Sequence, residues 1–219
     1  MAIAFDAASN NGSGYRGAPP LTWSHTCTGS DRGLIVGVSW YNGLDPTDVA
    51  VTYNGVSMTQ EADISAPDAS RVRIFSLIAP ATGSNTISVS WTGSNTDPMV
   101  GGAVSVTGCH QTDMITRAAS TNSGTSTTVS VTVTSATGEF VVDTAVMVDT
   151  PTENGDGTQR WNVNGTGLYG CGASAPGAAS VNMSWSQASS ASWAIAAVSI
   201  DPAAAGGLKG SLSLLGVGT

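Results

Sequence analysis

Charge is what this chain has least of. Charged side chains make up only 10% of its 219 residues, against roughly 25% in an ordinary soluble domain. Lysine and arginine together number 7, and Lys209 is the one lysine. Phosphate recognition needs clustered basic side chains, so the scatter excludes nucleic acid as a partner, and an anionic membrane surface with it. Against these stand 15 acidic residues, for a formal net charge of −8 and an isoelectric point of about 4.3. Histidine occurs twice, at His25 and His110, and cysteine three times, at Cys27, Cys109 and Cys171. Three cysteines without C-x-x-C spacing make no closed disulfide framework, and they are read as small buried hydrophobes. No apolar run reaches 18 residues, which excludes a membrane-spanning helix. The start, Met-Ala-Ile-Ala-Phe-Asp, has neither the basic nor the apolar region of a secretory signal.

What fills the chain instead is Ser, Thr, Gly and Ala, with 41% hydrophobic residues, enough to build a core. That is the composition of a surface covered by small polar side chains, as on extracellular and virion proteins. Lack of an export signal beside such a surface favours the virion, whose proteins are made in the host cytoplasm and leave by lysis.

Strand patterns dominate. Leu21, Trp23, His25 and Cys27 alternate with Thr22, Ser24, Thr26 and Thr28, the period of a half-buried strand. Val129, Val131 and Val133 do the same against Ser130, Thr132 and Thr134. Leu34 to Tyr41 is apolar on both faces, which suits a central strand. Val49, Val51 and Tyr53 lead into Asn54-Gly55, then Val56 and Met58 follow; Asn-Gly between alternating runs marks a hairpin with a type I′ turn. Further strands are expected over 72–78, 86–91, 100–107, 140–148, 160–163, 168–172, 180–185 and 193–200. No segment has a helical period. The expected fold is all-β, a two-sheet antiparallel β-sandwich of jelly-roll type over residues 1–201, followed by an extended C-terminal tail over 202–219.

Two stretches echo each other. Ile87-Ser88-Val89-Ser90-Trp91 returns as Val181-Asn182-Met183-Ser184-Trp185, and Ala103-Val104-Ser105-Val106 returns as Ala197-Val198-Ser199-Ile200. Both pairs share one offset (185 − 91 = 94 and 200 − 106 = 94). A two-strand unit used twice predicts two related halves with Trp91 and Trp185 in equivalent places.

Reactive constellations are sparse. There is no G-x-S-x-G elbow, Walker loop, H-E-x-x-H or dinucleotide fingerprint, so no enzyme and no cofactor is expected. Cys109-His110 lacks a second ligand pair. Glu153-Asn154-Gly155-Asp156-Gly157, near Asp149, resembles part of a calcium loop without its closing Glu, and an acidic turn is the plainer reading. Asp143 with Glu139 or Asp149 lacks the acidic density of a glycosidase. His25, on the Trp23/Cys27 face, reads as a core histidine. Trp161, beside Arg160 and amid Asn and Gly, is the best placed of the tryptophans for an exposed ligand contact, with plain packing as the leading reading.

The runs Leu21-Thr22-Trp23-Ser24-His25, Leu34-Ile35-Val36-Gly37-Val38, Val51-Thr52-Tyr53-Asn54-Gly55-Val56, Ala79-Pro80-Ala81-Thr82-Gly83-Ser84, Met183-Ser184-Trp185 and Trp193-Ala194-Ile195-Ala196-Ala197-Val198 together resemble a family of β-sandwich modules. These modules occur in structural proteins of tailed phages and in bacterial surface proteins. The resemblance spans about residues 2–201 and rests on packing and turn motifs. It implies a virion structural protein, foremost a capsid decoration or cement protein bound to the major capsid protein or other virion proteins. A carbohydrate-binding adhesion module of a head or tail fibre, or a filament subunit assembled by strand donation, are the alternatives. Close packing of copies through small side chains suggests a homo-oligomer, a trimer by analogy. The tail carries Leu208, Leu212, Leu214, Leu215 and Val217 among glycines that each disfavour helix by about 1 kcal/mol. It is expected to dock, extended, on another chain.

Overall fold

Fifteen strands form from these patterns in the computed structural model, which describes residues 2–41, 47–92 and 98–204, Thr47 by its backbone alone. They are β1 (Ala4–Asn10), β2 (Leu21–Cys27), β3 (Gly33–Trp40), β4 (Thr47–Tyr53), β5 (Val56–Ser57), β6 (Thr59–Ser65), β7 (Arg71–Ile78), β8 (Gly83–Thr92), β9 (Met99–Thr107), β10 (Ser120–Val133), β11 (Phe140–Met147), β12 (Thr152–Glu153), β13 (Thr158–Asn164), β14 (Tyr169–Pro176) and β15 (Val181–Ile200). Every ladder is antiparallel. The Asn54-Gly55 hairpin forms between β4 and β5, with φ of 50° and 77° at its two turn residues, the positive pair that a type I′ turn demands.

The first half is a jelly roll. One sheet runs β1-β9-β3-β7-β6 and the facing sheet runs β2-β8-β4-β5. Taking β5 and β6 as the two ends of one strand, the eight strands fall into the two facing sheet orders that two Greek keys produce. Leu21, Trp23 and Cys27 of β2 point inward with Val49, Val51 and Tyr53 of β4 and with Ile87 and Val89 of β8. They pack on Leu34, Val36, Val38 and Trp40 of β3.

The second half repeats this plan with longer strands. Its main sheet runs β10-β15-β11-β14-β13, and β12 pairs with the first part of β15. Both long strands serve two layers. Residues 120–126 of β10 pair with 191–197 of β15 in the main sheet, and 128–133 pair with 181–186 in a flap folded over it, with the register shifting between Ser126 and Thr128. A bulge of this kind lets a strand bend from one layer into the next. The flap and main sheet enclose a core of Val129, Val131, Met183 and Trp185 on Val141, Ala145 and Ile195.

Register makes the repeat explicit. Gly37 pairs with Gly102 in the first half, and Thr144 pairs with Ala196 in the second; the offset from 102 to 196 is again 94. Trp91 and Trp185 sit at the same place in the two covering layers and are 6% and 0% exposed. Even the irregularities match. The edge strand of each main sheet shifts register once, between Gln60 and Ala62 and between Gln159 and Trp161.

The antiparallel β-sandwich expected from the sequence is present, built from three sheets. Two sandwiches stack back to back, their main sheets sharing a core of Ile35, Ile74, Val100 and Val104 on Val142, Val146, Ala196 and Val198. The contacts between them are reciprocal: β3 packs on β11, β6 on β15 as β13 on β9, and β10 on β6 as β1 on β13. That pattern is a local two-fold axis passing between β3 and β11. On it, Gly37 meets Thr144, where a Cβ on the glycine would overlap the threonine side chain. Sharing of this central core explains why β3, β9 and β11 are buried on both faces.

Candidate functional site

Trp161 is a packing residue and not an exposed contact. It is 3% exposed and lies in the core between the halves. Its ring covers Gly102 of β9 and Gly172 of β14, at both of which a Cβ would collide with the indole. The equivalent of Trp161 in the first half is Ala62, and the equivalent of Gly172 is Ile74, since Ala62 pairs with Ile74 as Trp161 pairs with Gly172. One half spends its volume on the edge strand and the other on the inner strand. Arg160 points the other way. Its guanidinium lies over the Phe5 ring at 3.8 Å and its Nε donates to Ser174 Oγ at 2.7 Å. Phe5 is one of the exposed large hydrophobic residues, so this stack joins β1 to β13 across the halves rather than framing a ligand.

The remaining sequence candidates resolve into structural roles. His25 is 2% exposed; Ser9 Oγ lies 2.8 Å from its Nδ1, and its Nε2 has no hydrogen-bond partner among the described residues. Burial holds its pKa down at about 4, against the pull of Asp6, so the ring is neutral near pH 7. His110 Nδ1 accepts the backbone N–H of Asp113 at 3.1 Å and closes a turn. The Glu153–Gly157 loop is tied to β15: Asn154 N donates to Ser184 O, Asp156 N to Asn182 O, and Asn182 N back to Asp156 Oδ2. Glu153 Oε1 accepts Gly155 N at 3.0 Å. Among the described residues no group of three or more His, Cys, Asp and Glu side chains is placed to hold a metal. Cys27, Cys109 and Cys171 are free and buried.

Two carboxyls are deeply placed. Glu139 is 7% exposed and accepts from Arg117, Ser135, Ser199 and the backbone N–H of Ala136. Burial pushes its pKa up, but these donors outweigh burial and bring it to about 2. Asp143 is 0% exposed on β11, facing the flap. It accepts Ala173 N–H at 2.5 Å and Trp185 Nε1–H at 2.9 Å. Burial raises its pKa to about 7, against those two donors and with the help of Glu153. No substrate reaches a carboxyl sealed this way, and its chemistry is to tie β11, β14 and the flap together. Sequence reasoning did not single out this role. The signal was there in the equivalence, because Trp185 gains an acid partner while Trp91 Nε1 has none among the described residues.

The distinctive surfaces are the two outward faces. On the first half Thr22, Ser24 and Thr26 of β2, Thr86, Ser90 and Thr92 of β8 and Ala50 of β4 are exposed. They line up across the ladders, with Ser24 opposite Thr86 and Ser90 opposite Ala50. Asp48, at the β4 bulge, is the charged residue among the exposed positions of these strands. On the flap, Thr132 lies opposite Asn182, and Thr128 opposite Ser186, which also pairs with Thr152. The local two-fold places these hydroxyl ladders at opposite ends of the stack.

The tail residues Leu208, Leu212, Leu214, Leu215 and Val217 lie outside the described residues. No protein-family model matches the chain, and no curated protein matches it.

Proposed function

We propose that this is a structural protein of a virion, foremost a decoration protein that lies on the assembled capsid and stabilises it, with the major capsid protein as its partner and a homotrimer as its working unit. The observation that carries this reading is the pair of outward sheet faces lined with Ser and Thr. Interface centres are depleted of charged residues. Short side chains also lose less rotamer freedom on burial than Lys or Glu, for which the loss is about 1.5–2 kcal/mol each. A flat ladder of small hydroxyls is therefore cheap to bury against a protein surface. The tandem jelly roll behind it supplies a stiff body. A partner that binds only the assembled shell stabilises that shell by linkage.

Cryo-electron microscopy and quantitative mass spectrometry of purified particles test this. The expected result is hundreds of copies over the head, each seated by a Ser/Thr face. Absence from particles, or a few copies confined to the tail, overturns it. Ser24→Glu with Thr86→Glu, both exposed, should abolish binding to the shell while leaving the thermal midpoint within 2–4 °C, as surface substitutions of up to about 0.5 kcal/mol do.

A further inference from the structure

Five Asn-Gly pairs occur in this chain, beginning at Asn11, Asn42, Asn54, Asn154 and Asn164. Such a pair carries its own reagent. The glycine nitrogen, once it gives up its proton, can attack the side-chain amide carbon of the asparagine before it, and glycine has no Cβ to hinder the approach. Two restraints prevent attack: a hydrogen bond that holds the glycine N–H, and bonds that hold the asparagine amide. Asn42 lies outside the described residues. The other four pairs differ in both restraints.

Three of them are tied down. Gly12 N donates to Asn10 Oδ1 at 2.9 Å, while Asn11 Nδ2 donates to Ser13 O and Asn11 Oδ1 accepts Gly101 N. Gly165 N donates to Leu168 O at 2.6 Å, while Asn164 Nδ2 donates to Tyr169 Oη and Asn164 Oδ1 accepts Thr166 N. Gly155 N donates to Glu153 Oε1 at 3.0 Å, and β15 closes over it, since a Cβ there would lie 2.4 Å from Asn182 O. Asn54-Gly55 has none of these restraints. Among the described residues neither the Gly55 N–H nor the Asn54 side-chain amide has a hydrogen bond. Both residues are exposed, and a Cβ on Gly55 would meet nothing within 4 Å. The turn leads into β5, which is two residues long and exposed throughout. A tip with so few buried contacts opens without the rest of its sheet.

We propose that Asn54 is a site of covalent self-modification, converted by the Gly55 nitrogen through a succinimide to aspartate and isoaspartate. In the opened turn, hydroxide takes the Gly55 N–H proton and the nitrogen forms a bond to Asn54 Cγ. The Cγ–Nδ2 bond breaks, ammonia leaves, and a five-membered imide closes. Water then adds to one of its two carbonyl carbons. Breaking the bond from nitrogen to Cγ gives aspartate. Breaking the bond from nitrogen to the backbone carbonyl carbon gives isoaspartate, whose main chain runs through Cβ and Cγ. One water is consumed and one ammonia released, and nothing is oxidised or reduced. Either product adds a carboxylate, taking the formal net charge from −8 to −9 (−8 − 1 = −9). Isoaspartate also lengthens the two-residue connection by one main-chain atom, which a type I′ turn does not accommodate. The change stops at Tyr53, which is buried with its hydroxyl among the carbonyls of His25, Ala81 and Gly83. Because β5 ends the sheet β2-β8-β4-β5, the new charge appears at the edge of an outer layer. The inference stands apart from the virion reading and does not need it.

Peptide mapping by mass spectrometry, with fragmentation that separates aspartate from isoaspartate, tests this on the full chain kept at pH 8 and 37 °C. Asn54 should convert at least about tenfold faster than Asn11, Asn154 and Asn164, the factor that a restraint of about 1.4 kcal/mol imposes. Both products should form, and conversion should slow at pH 6, where hydroxide is scarcer. In urea that unfolds the chain, the four sites should convert at similar rates. An Asn54 that stays intact in the folded chain, or converts no faster than the other three, overturns the proposal. A lag at the other three that persists in urea assigns the ranking to local sequence and overturns it as well.

Discussion

Replacing Asp143 with valine should give the chain a dependence of stability on pH that the native protein lacks. Val36 holds the equivalent place in the first half, since Gly37 corresponds to Thr144 (144 − 37 = 107 and 143 − 36 = 107), so the new side chain suits that layer. In the native protein burial raises the Asp143 pKa from 3.8 to about 7. The folded state thus holds this proton more tightly than the unfolded chain. Its contribution is fully present below about pH 3.8, falls as pH rises, and is gone above about pH 7. At about 1.36 kcal/mol per pH unit, the loss is about 4 kcal/mol. His25 works in the opposite direction. Its folded pKa is lowered from 6.5 to about 4, so its contribution, about 3 kcal/mol by the same conversion, is present above pH 6.5 and lost as pH falls to 4. The two nearly cancel between pH 4 and 7, and native stability should be close to flat there. Asp143→Val orphans the Ala173 and Trp185 N–H groups at every pH, at about 1–3 kcal/mol each, and removes the ionisation cost only at high pH. Urea unfolding from pH 4 to 8, with midpoint and slope fitted at each pH, should show the variant about 2–6 kcal/mol less stable at pH 4 and within about 2 kcal/mol of native at pH 8. A stability difference that stays constant over this range would refute the account of Asp143.

Further outcomes follow from the packing and from the thiols. Gly102→Ala should destabilise by about 1–3 kcal/mol through overpacking against Trp161, and by much less in a Trp161→Ala background, which a double-mutant cycle of denaturation midpoints measures. Trp161→Ala alone should cost about 3–5 kcal/mol, far more than loss of an exposed ligand contact would. Arg117→Ala should destabilise the protein at pH 7 but have little effect near pH 2, where Glu139, whose folded pKa is about 2, is losing its charge; acid unfolding curves check this. All three thiols are buried and burial raises their pKa values, so a disulfide-exchange reagent at pH 8 should label none in the folded chain and three in denaturant.

The fold was legible because alternation is local. β2 and the second part of β10 could be read residue by residue, and the Asn54-Gly55 turn fixed a hairpin by its chemistry alone. The echo of β8 and β9 in β15 was visible because that stretch has no insertions. The rest of the repeat was hidden by loops: the offset is 94 at β9, 98 where Ile74 answers Gly172, and 107 at β3. A gap-free comparison loses such a drift, so the sandwich fold was legible but its doubling was not. The surroundings of Trp161 were less legible for a different reason. Its neighbours in sequence are polar, while the glycines that make room for its ring, Gly102 and Gly172, come from two other strands. Asp143 was set aside as half of an acid pair, and its structural role stayed hidden because sequence shows spacing but not the indole that satisfies it.

The Gly37–Thr144 contact on the local two-fold shows what a single polypeptide permits at such a seam. In a symmetric homodimer, a residue on the axis meets its own copy. Two threonines there would clash, and two glycines would leave a gap. Where both halves belong to one polypeptide the two sides can differ, so that a bulky residue meets a vacant one. The same freedom permits a tryptophan answered by an alanine at the edge strands, and an acid answered by a valine beneath the flap. Joining also removes the concentration dependence of pairing and the entropy of association. The covalent link thus allows a two-fold seam to have distinct halves without loss of the pairing.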